Sequence, residues 1–81
     1  MEKYYYEVFF GNFDENNNLI DETSICIIGT RKPTIEEANE FCKKDLNLMG
    51  YEKVFKVNEV DKKYAYNFFY MELEDTYPIF S

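Results

Sequence analysis

The sequence has no histidine and no tryptophan, and its 81 residues include only three glycines, two prolines and two cysteines. Without histidine, imidazole acid–base catalysis and histidine-ligated metals are excluded. No apolar run approaches the roughly 18 residues that a membrane-spanning helix needs. Basic residues number only nine against 16 acidic ones, so the formal charge is −7. Direct binding to nucleic acid is therefore not expected, because this net field repels a phosphate backbone.

The two cysteines, Cys26 and Cys42, each lie within an apolar pattern and have no CxxC spacing. A catalytic cysteine needs an electropositive neighbour or a base to lower its pKa, and no histidine is present to act as one. No secretory leader and no N-glycosylation sequon are recognised. We therefore interpret both as reduced, buried thiols of a cytoplasmic protein.

Aromatic residues are abundant: eight tyrosines and eight phenylalanines make up 20% of the chain. A domain of this length buries only about 60% of the surface that its unfolded chain exposes. Each interior aromatic ring buries about 150–250 Å², so the rings can supply the dense packing that a small domain needs. We expect residues 1–81 to form one α+β domain.

The apolar pattern predicts the order β-β-α-β followed by a final helix or strand. Residues 3–13 alternate as a strand, and the polar turn 14–18 leads into a second strand over 19–29. A third strand is predicted over residues 51–60, and residues 77–80 can fold back to cover a sheet edge. The expected architecture is a small antiparallel sheet with one or two helices packed on one face.

A helix is predicted to begin at Ile35 and to stop at Gly50. Thr34 and Glu37 have the spacing of a capping box, which satisfies backbone donors at a helix start. Residues at three- and four-residue spacing give this helix one apolar stripe: Ile35, Ala38, Phe41, Cys42, Leu46 and Met49.

Residues 61–73 fit two structures. Asp61 is a suitable N-cap for a helix with apolar residues at helical spacing. Alternation of Tyr64, Tyr66, Phe68 and Tyr70 fits a fourth strand. We favour the helix.

No set of residues predicts a catalytic, cofactor-binding or metal site. Asp14, Asn16 and Asn18 match the opening ligands of a calcium loop, but Leu19 and Ile25 stand where that loop needs glycine and a bidentate glutamate. The segment is better interpreted as a solvated hairpin turn. No pair of carboxylates is marked out for acid–base chemistry, so we expect a protein that is not an enzyme and uses no cofactor.

The acidic residues and tyrosines are the remaining functional signal. Carboxylates on a rigid surface can imitate a nucleic-acid backbone and attract a basic groove, and tyrosine gives a large apolar face with a polar tip. The candidate partner-binding residues lie on the first strand, around the hairpin and near the C-terminus: Tyr4, Tyr6, Glu7, Asp14, Glu15, Asp21, Glu22, Glu72, Glu74 and Asp75.

Lysine, asparagine, isoleucine, tyrosine and phenylalanine, which have AT-rich codons, account for 38 of the 81 residues. In size, acidity, aromatic content and this codon bias, the chain resembles the small accessory proteins of phages and mobile elements, among which anti-CRISPR inhibitors are typical. The resemblance implies inhibition of a host defence nuclease in the bacterial cytoplasm, through binding to a basic nucleic-acid-binding protein. It assigns no residue roles.

An alternative from another class is a self-associating structural module. The first strand, with three tyrosines, is a candidate exposed edge that a second copy would cover, giving a homodimer.

Overall fold

Seven elements follow one another in the computed structural model, which describes residues 2–71 and 76–81. They are β1 (Tyr4–Phe13), β2 (Leu19–Gly29), α1 (Ile35–Phe41), α2 (Lys43–Met49), β3 (Lys53–Val60), α3 (Lys62–Phe69) and β4 (Ile79–Phe80). The predicted α+β class is confirmed. No helix in the described ranges is long and apolar enough to cross a membrane.

Strand β1 lies inside the sheet, whose order is β3-β1-β2-β4. It pairs antiparallel with β2 along its whole length and with β3 from Tyr5 to Gly11. The expectation that the first strand is an exposed edge is wrong, because both of its sides are already hydrogen-bonded. Its aromatic and β-branched residues fit this central position.

Strand β4 pairs parallel to β2, at Ile28 with Ile79 and at Gly29 with Phe80. The sheet is therefore mixed rather than purely antiparallel. The tail was expected to fold back over a sheet edge, and it does so here, covering the end of β2.

Helices cover both faces of the sheet, so the prediction of helices on one face only is wrong. The first face carries a core under α1 and α2 that includes Tyr6, Val8, Phe10, Ile27, Ala38, Cys42, Leu46, Val54 and Val57. The second face carries a smaller core under α3: Tyr5, Cys26, Ile28, Ala65 and Met71. Alternate side chains of β1 and β2 are apolar on both sides at this end, and each side needs its own cover.

The predicted helix over Ile35–Met49 is interrupted at Cys42, whose backbone has φ −98° and ψ 12°. Its start and end are as expected, since Thr34 and Glu37 form the capping box and Gly50 closes α2 with φ 78°. The apolar stripe is shorter than predicted. Ile35 and Met49 are exposed because the core beneath the helices extends only from Ala38 to Leu46.

Helix α3 begins as the preferred alternative predicted. The Asp61 carboxylate accepts a 2.7 Å hydrogen bond from the Tyr64 amide, as an N-cap does. The helix ends at Tyr70, which adopts the left-handed conformation with φ 54°. Ala65 is fully buried against the second face, whereas Phe68 is 66% exposed. The predicted continuation to residue 73 is wrong at Tyr70, where the left-handed backbone ends the helix, and residues 72 and 73 lie outside the described ranges.

Candidate functional site

The tyrosines proposed for partner contact divide between surface and core. Tyr4 is half-buried, and its hydroxyl donates a hydrogen bond to the Glu2 carboxylate, which raises the pKa of Tyr4. Tyr6 is only 2% exposed and packs on the first face under α1 and α2. The choice of Tyr6 as a surface residue is therefore corrected: central strand position and helix cover remove it from solvent.

Glu7 is also a core residue, with 9% of its surface exposed. Its carboxylate accepts hydrogen bonds from the Ser24 hydroxyl at 2.6 Å and from the Tyr64 hydroxyl at 3.0 Å. A buried carboxylate needs such partners because it has lost its water. The network joins β1, β2 and α3, so Glu7 stabilises the second face instead of presenting charge to a partner.

Asp14 has a structural role in the hairpin turn. Its carboxylate accepts hydrogen bonds from the backbone amides of Asn16 and Asn18, both at 2.9 Å. These hydrogen bonds, led by the one from Asn18, lower the pKa of Asp14. Asn17 takes the left-handed conformation with φ 66°. The residues that resembled calcium ligands are thus hydrogen-bonded to one another as a turn, which agrees with the solvated-turn interpretation.

Five carboxylate residues lie around the far end of the β1–β2 hairpin, which we call the acidic hairpin end. Asp21 and Glu22 stand opposite Asn12 and Gly11 in the strand register, next to the turn. The members of this group are Asp14, Glu15, Asp21, Glu22 and Glu52. Four of the sequence-predicted acids thus lie at one end of the hairpin, but Asp21 and Glu22 are neighbours in β2 and point to opposite faces of the sheet. The remaining three, Glu72, Glu74 and Asp75, lie outside the described residues.

Glu52 is a member that sequence reasoning missed. Glu52 lies three residues after the end of α2. Its backbone amide donates one hydrogen bond to the Gly11 carbonyl and another, of 2.9 Å, to Asn12 Oδ1. Its carboxylate accepts a 3.4 Å hydrogen bond from the Phe13 amide. These contacts depend on the pairing of β3 with β1, so no local pattern in the sequence identifies Glu52.

Apolar side chains are exposed beside these carboxylates. Ile20 is 65% exposed and Leu19 is 39% exposed. On the second face, where α3 does not reach, the rings of Phe9 and Phe13 each contact that of Phe55, with centroids 6.1 and 5.9 Å apart. Exposed apolar groups therefore lie beside acidic residues at this end of the hairpin, and exposed apolar groups next to polar ones are typical of protein-binding surfaces.

Two lysine side chains of β3 lie over aromatic rings. Lys53 Nζ is 4.7 Å from the centroid of Phe13, and Lys56 Nζ is 4.9 Å from that of Phe9. Among the residues that the structure describes, the one ion pair joins Arg31 to Glu37, far along the chain from the hairpin turn. No carboxylate of the acidic hairpin end forms an ion pair with a described residue, although Lys53 lies opposite Gly11 at the same end.

A cavity of about 400 Å³ lies elsewhere, beside β2 and between the helices of the two faces. Ser24, Cys26, Phe41, Asp45 and Phe69 contribute to its wall. Burial raises the pKa of the Cys26 thiol to about 11, with a smaller contribution from Glu7. Such a thiol is a poor nucleophile near neutral pH. Across residues 2–71 and 76–81, no group of three or more potential metal ligands is found.

Comparison with known proteins identifies no relative: no family model matches the chain, and neither curated proteins nor solved structures give a significant match.

Proposed function

We propose that this protein is a non-enzymatic inhibitor that binds another protein, and that its acidic hairpin end occupies a basic surface on which the partner normally binds nucleic acid. The partner class we propose is a nucleic-acid-binding host defence protein, such as a CRISPR nuclease, in the bacterial cytoplasm. The observation that carries the proposal is the position of five carboxylate residues around one end of the hairpin, none of them in an ion pair with a described residue.

The physical argument has two parts. Unneutralised carboxylates on a hydrogen-bonded hairpin attract a basic groove over distances of about one Debye length, roughly 8 Å at physiological ionic strength. Exposed Ile20 and Leu19 add apolar area that a phosphate backbone does not have, and this area favours a protein partner once contact is made. Long-range attraction would thus set the association rate, and apolar contact would lengthen the complex lifetime.

The test is a charge-neutral triple variant, Glu15→Gln, Asp21→Asn and Glu22→Gln, compared with a control that removes the same charge elsewhere. The control variant is Glu36→Gln, Glu40→Gln and Glu59→Gln, all at exposed positions outside the hairpin. Wild type and the two triple variants are each used as bait in lysate of a low-GC bacterium, at low and at high salt. Captured proteins are then tested for release of bound DNA or RNA.

We expect wild type and control variant to retain a basic nucleic-acid-binding partner at low salt, to lose it at high salt, and to displace its nucleic acid. The hairpin variant should lose the partner under both conditions. Equal loss in the two triple variants would show a non-specific charge effect and contradict the proposal. Capture of acidic or metabolic proteins alone, without salt dependence, would also contradict it.

A further inference from the structure

Helix α3 covers the second face of the sheet over only part of its length. It reaches Glu7, whose carboxylate accepts a hydrogen bond from the Tyr64 hydroxyl. Phe9 and Phe13 follow on the same face of β1 and do not belong to the core beneath α3. On the first face, by contrast, the core under α1 and α2 continues to Phe10. Within the described residues, the hairpin end of the sheet therefore has a helix layer on one face only.

Three phenylalanine rings and one leucine form an apolar patch on this uncovered part of the second face. The Phe55 ring contacts those of Phe9 and Phe13, with centroids 6.1 and 5.9 Å apart. A Cβ at Gly11 would lie 2.7 Å from Leu19 Cδ1 and 2.9 Å from Phe55 Cδ1, so Leu19 adjoins the rings. We call Phe9, Phe13, Leu19 and Phe55 the aromatic patch. The three rings are partly exposed and Leu19 is 39% exposed.

The aromatic patch is distant from the segment that leads into β4. The described residues on either side of 72–75 lie at the other end of the second face, where Met71 is buried beside Tyr5 and Tyr77 packs against the same core. The patch begins four residues beyond Tyr5 on β1 and ends eight residues beyond it, at Phe13. These separations correspond to about 13 and 26 Å along a strand.

Two lysines give the aromatic patch a positive border. Lys53 Nζ lies 4.7 Å from the centroid of Phe13, and Lys56 Nζ lies 4.9 Å from that of Phe9. Both are exposed side chains of β3, and neither forms an ion pair with a described residue. Glu22 lies on the same face but on β2, two strands away. The patch is therefore positive along β3 and negative along β2.

An amphipathic helix complements this surface. A helix with its side chains is about 10–12 Å thick, so one that lies on the patch would lie beside α3 in the same layer. Its apolar stripe would pack on the rings, and acidic residues along one flank would lie near Lys53 and Lys56. Aromatic rings with lysines also suit single-stranded nucleic acid, but Glu22 and the net charge of −7 oppose a phosphate backbone.

We propose that the aromatic patch binds an amphipathic helix of a partner protein, whose apolar stripe lies on the phenylalanine rings and whose aspartate or glutamate residues face Lys53 and Lys56. The bound helix would complete the layer that α3 begins on the second face. This binding does not depend on nucleic-acid mimicry by the acidic hairpin end.

The probe is a displayed library of helical peptides of about 20 residues, a length at which an isolated helix can form, randomised along one face and selected on the full chain. Enriched sequences are synthesised with a fluorescent label, and their affinity is measured by fluorescence anisotropy. The test variant combines Lys53→Glu with Lys56→Glu. The control variant combines Lys43→Glu with Lys44→Glu, which makes the same charge change at exposed positions of α2.

We expect enriched peptides to carry an apolar stripe flanked by aspartate or glutamate, and to gain helical circular dichroism signal on binding. The test variant should weaken their binding at least about tenfold, while the control variant should stay within about threefold of wild type. Peptides whose acidic residues are changed to lysine should bind the test variant more tightly than wild type.

The apolar contribution is tested separately. Phe13→Ala should weaken binding at least about tenfold, because it removes a ring from the patch. Leu48→Ala removes an apolar side chain that is 77% exposed on α2 and should leave binding unchanged. Circular dichroism verifies that each variant is folded.

Four results would overturn the inference: no enriched peptide, equal weakening by the two double-lysine variants, a single-stranded oligonucleotide that competes with the peptides, or a dimer in sedimentation that Phe13→Ala dissociates. The last two results would assign the patch to nucleic acid or to a second copy. The hairpin triple variant keeps the rings and both lysines and should still bind the peptides, which distinguishes failure of this inference from failure of the proposed function.

Discussion

The Ser24 hydroxyl donates a 2.6 Å hydrogen bond to the Glu7 carboxylate across the β1–β2 pair. This contact converts an acid on the first strand into part of the core beneath α3, where the Tyr64 hydroxyl is its second donor. The two hydrogen bonds therefore tie the first two strands to α3 on the second face.

Replacing Glu7 should destabilise the protein. Glu7→Leu leaves the Ser24 and Tyr64 hydroxyls without their acceptor, at a cost of about 1–3 kcal/mol. Urea denaturation followed by circular dichroism gives the free energy of unfolding. In a double-mutant cycle, Ser24→Ala should cost less when Glu7 is already leucine. Additive effects of the two changes would show that the hydrogen bond does not contribute to stability.

A larger residue at Gly11 should force Leu19 and Phe55 to move. A Cβ at this position would lie 2.7 Å from Leu19 Cδ1 and 2.9 Å from Phe55 Cδ1, closer than side chains pack. Gly11→Ala is expected to cost about 1–3 kcal/mol through overpacking, measured as a lower urea midpoint. Gly50 is a useful contrast because nothing lies near its Cβ but its φ is 78°. Gly50→Ala should cost about 1–2 kcal/mol through backbone strain alone.

A smaller neighbouring side chain should relieve the loss of stability in Gly11→Ala but not that in Gly50→Ala. Combining Gly11→Ala with Leu19→Ala removes the closest clash and should recover part of the lost stability. The same Leu19→Ala change should not rescue Gly50→Ala. A Gly11→Ala protein as stable as wild type would contradict the packing at this end of the hairpin.

Acid should weaken the start of α1. The Arg31 hydrogen bonds, followed by that to the Thr34 amide, lower the pKa of Glu37 from 4.5 to about 2. Because the pKa of Glu37 is lower in the folded protein than in the unfolded chain, its ionised carboxylate stabilises the fold above pH 4.5. This stabilisation is lost as the pH falls from 4.5 towards 2. Thermal unfolding of wild type should therefore lose more stability across this interval than that of Glu37→Gln. Parallel pH profiles for the two proteins would contradict the prediction.

The two thiols should be unreactive in the folded protein. Burial raises the pKa of Cys26 to about 11 and that of Cys42 to about 12. Both are free, and they belong to cores on opposite faces of the sheet. At pH 8, iodoacetamide should label neither within minutes but both rapidly in urea, as mass spectrometry detects. Fast labelling of either thiol without denaturant would show that its face opens readily.

The local elements of this fold were predictable because their signals are short in sequence. The capping box of Thr34 with Glu37, the left-handed stop at Gly50 and the Asp61 cap each act within a few residues. The helix interruption at Cys42 was not predictable from the same pattern. The apolar stripe predicts which side of the helix faces the core. How far the core extends beneath the helix depends on the sheet.

The candidate site was only partly predictable for a related reason. Acidity marked Asp14, Glu15, Asp21 and Glu22 because they flank one turn, and adjacency in sequence keeps them together. Charge alone could not separate them from Glu7, whose partners lie 17 and 57 residues away. Nor could it find Glu52, which joins the group through the pairing of β3 with β1.

By itself, the sequence determined the α+β class, the hairpin turn, the helix starts and the exclusion of histidine chemistry, since these depend on composition and local backbone preferences. Only the tertiary structure decided that β1 is central, that helices cover both faces, and that Tyr6 and Glu7 are core residues. The alternation of apolar and polar residues along a strand predicts which side chains share a face. Which neighbour lies along each edge depends on contacts between distant segments, and no local pattern encodes them.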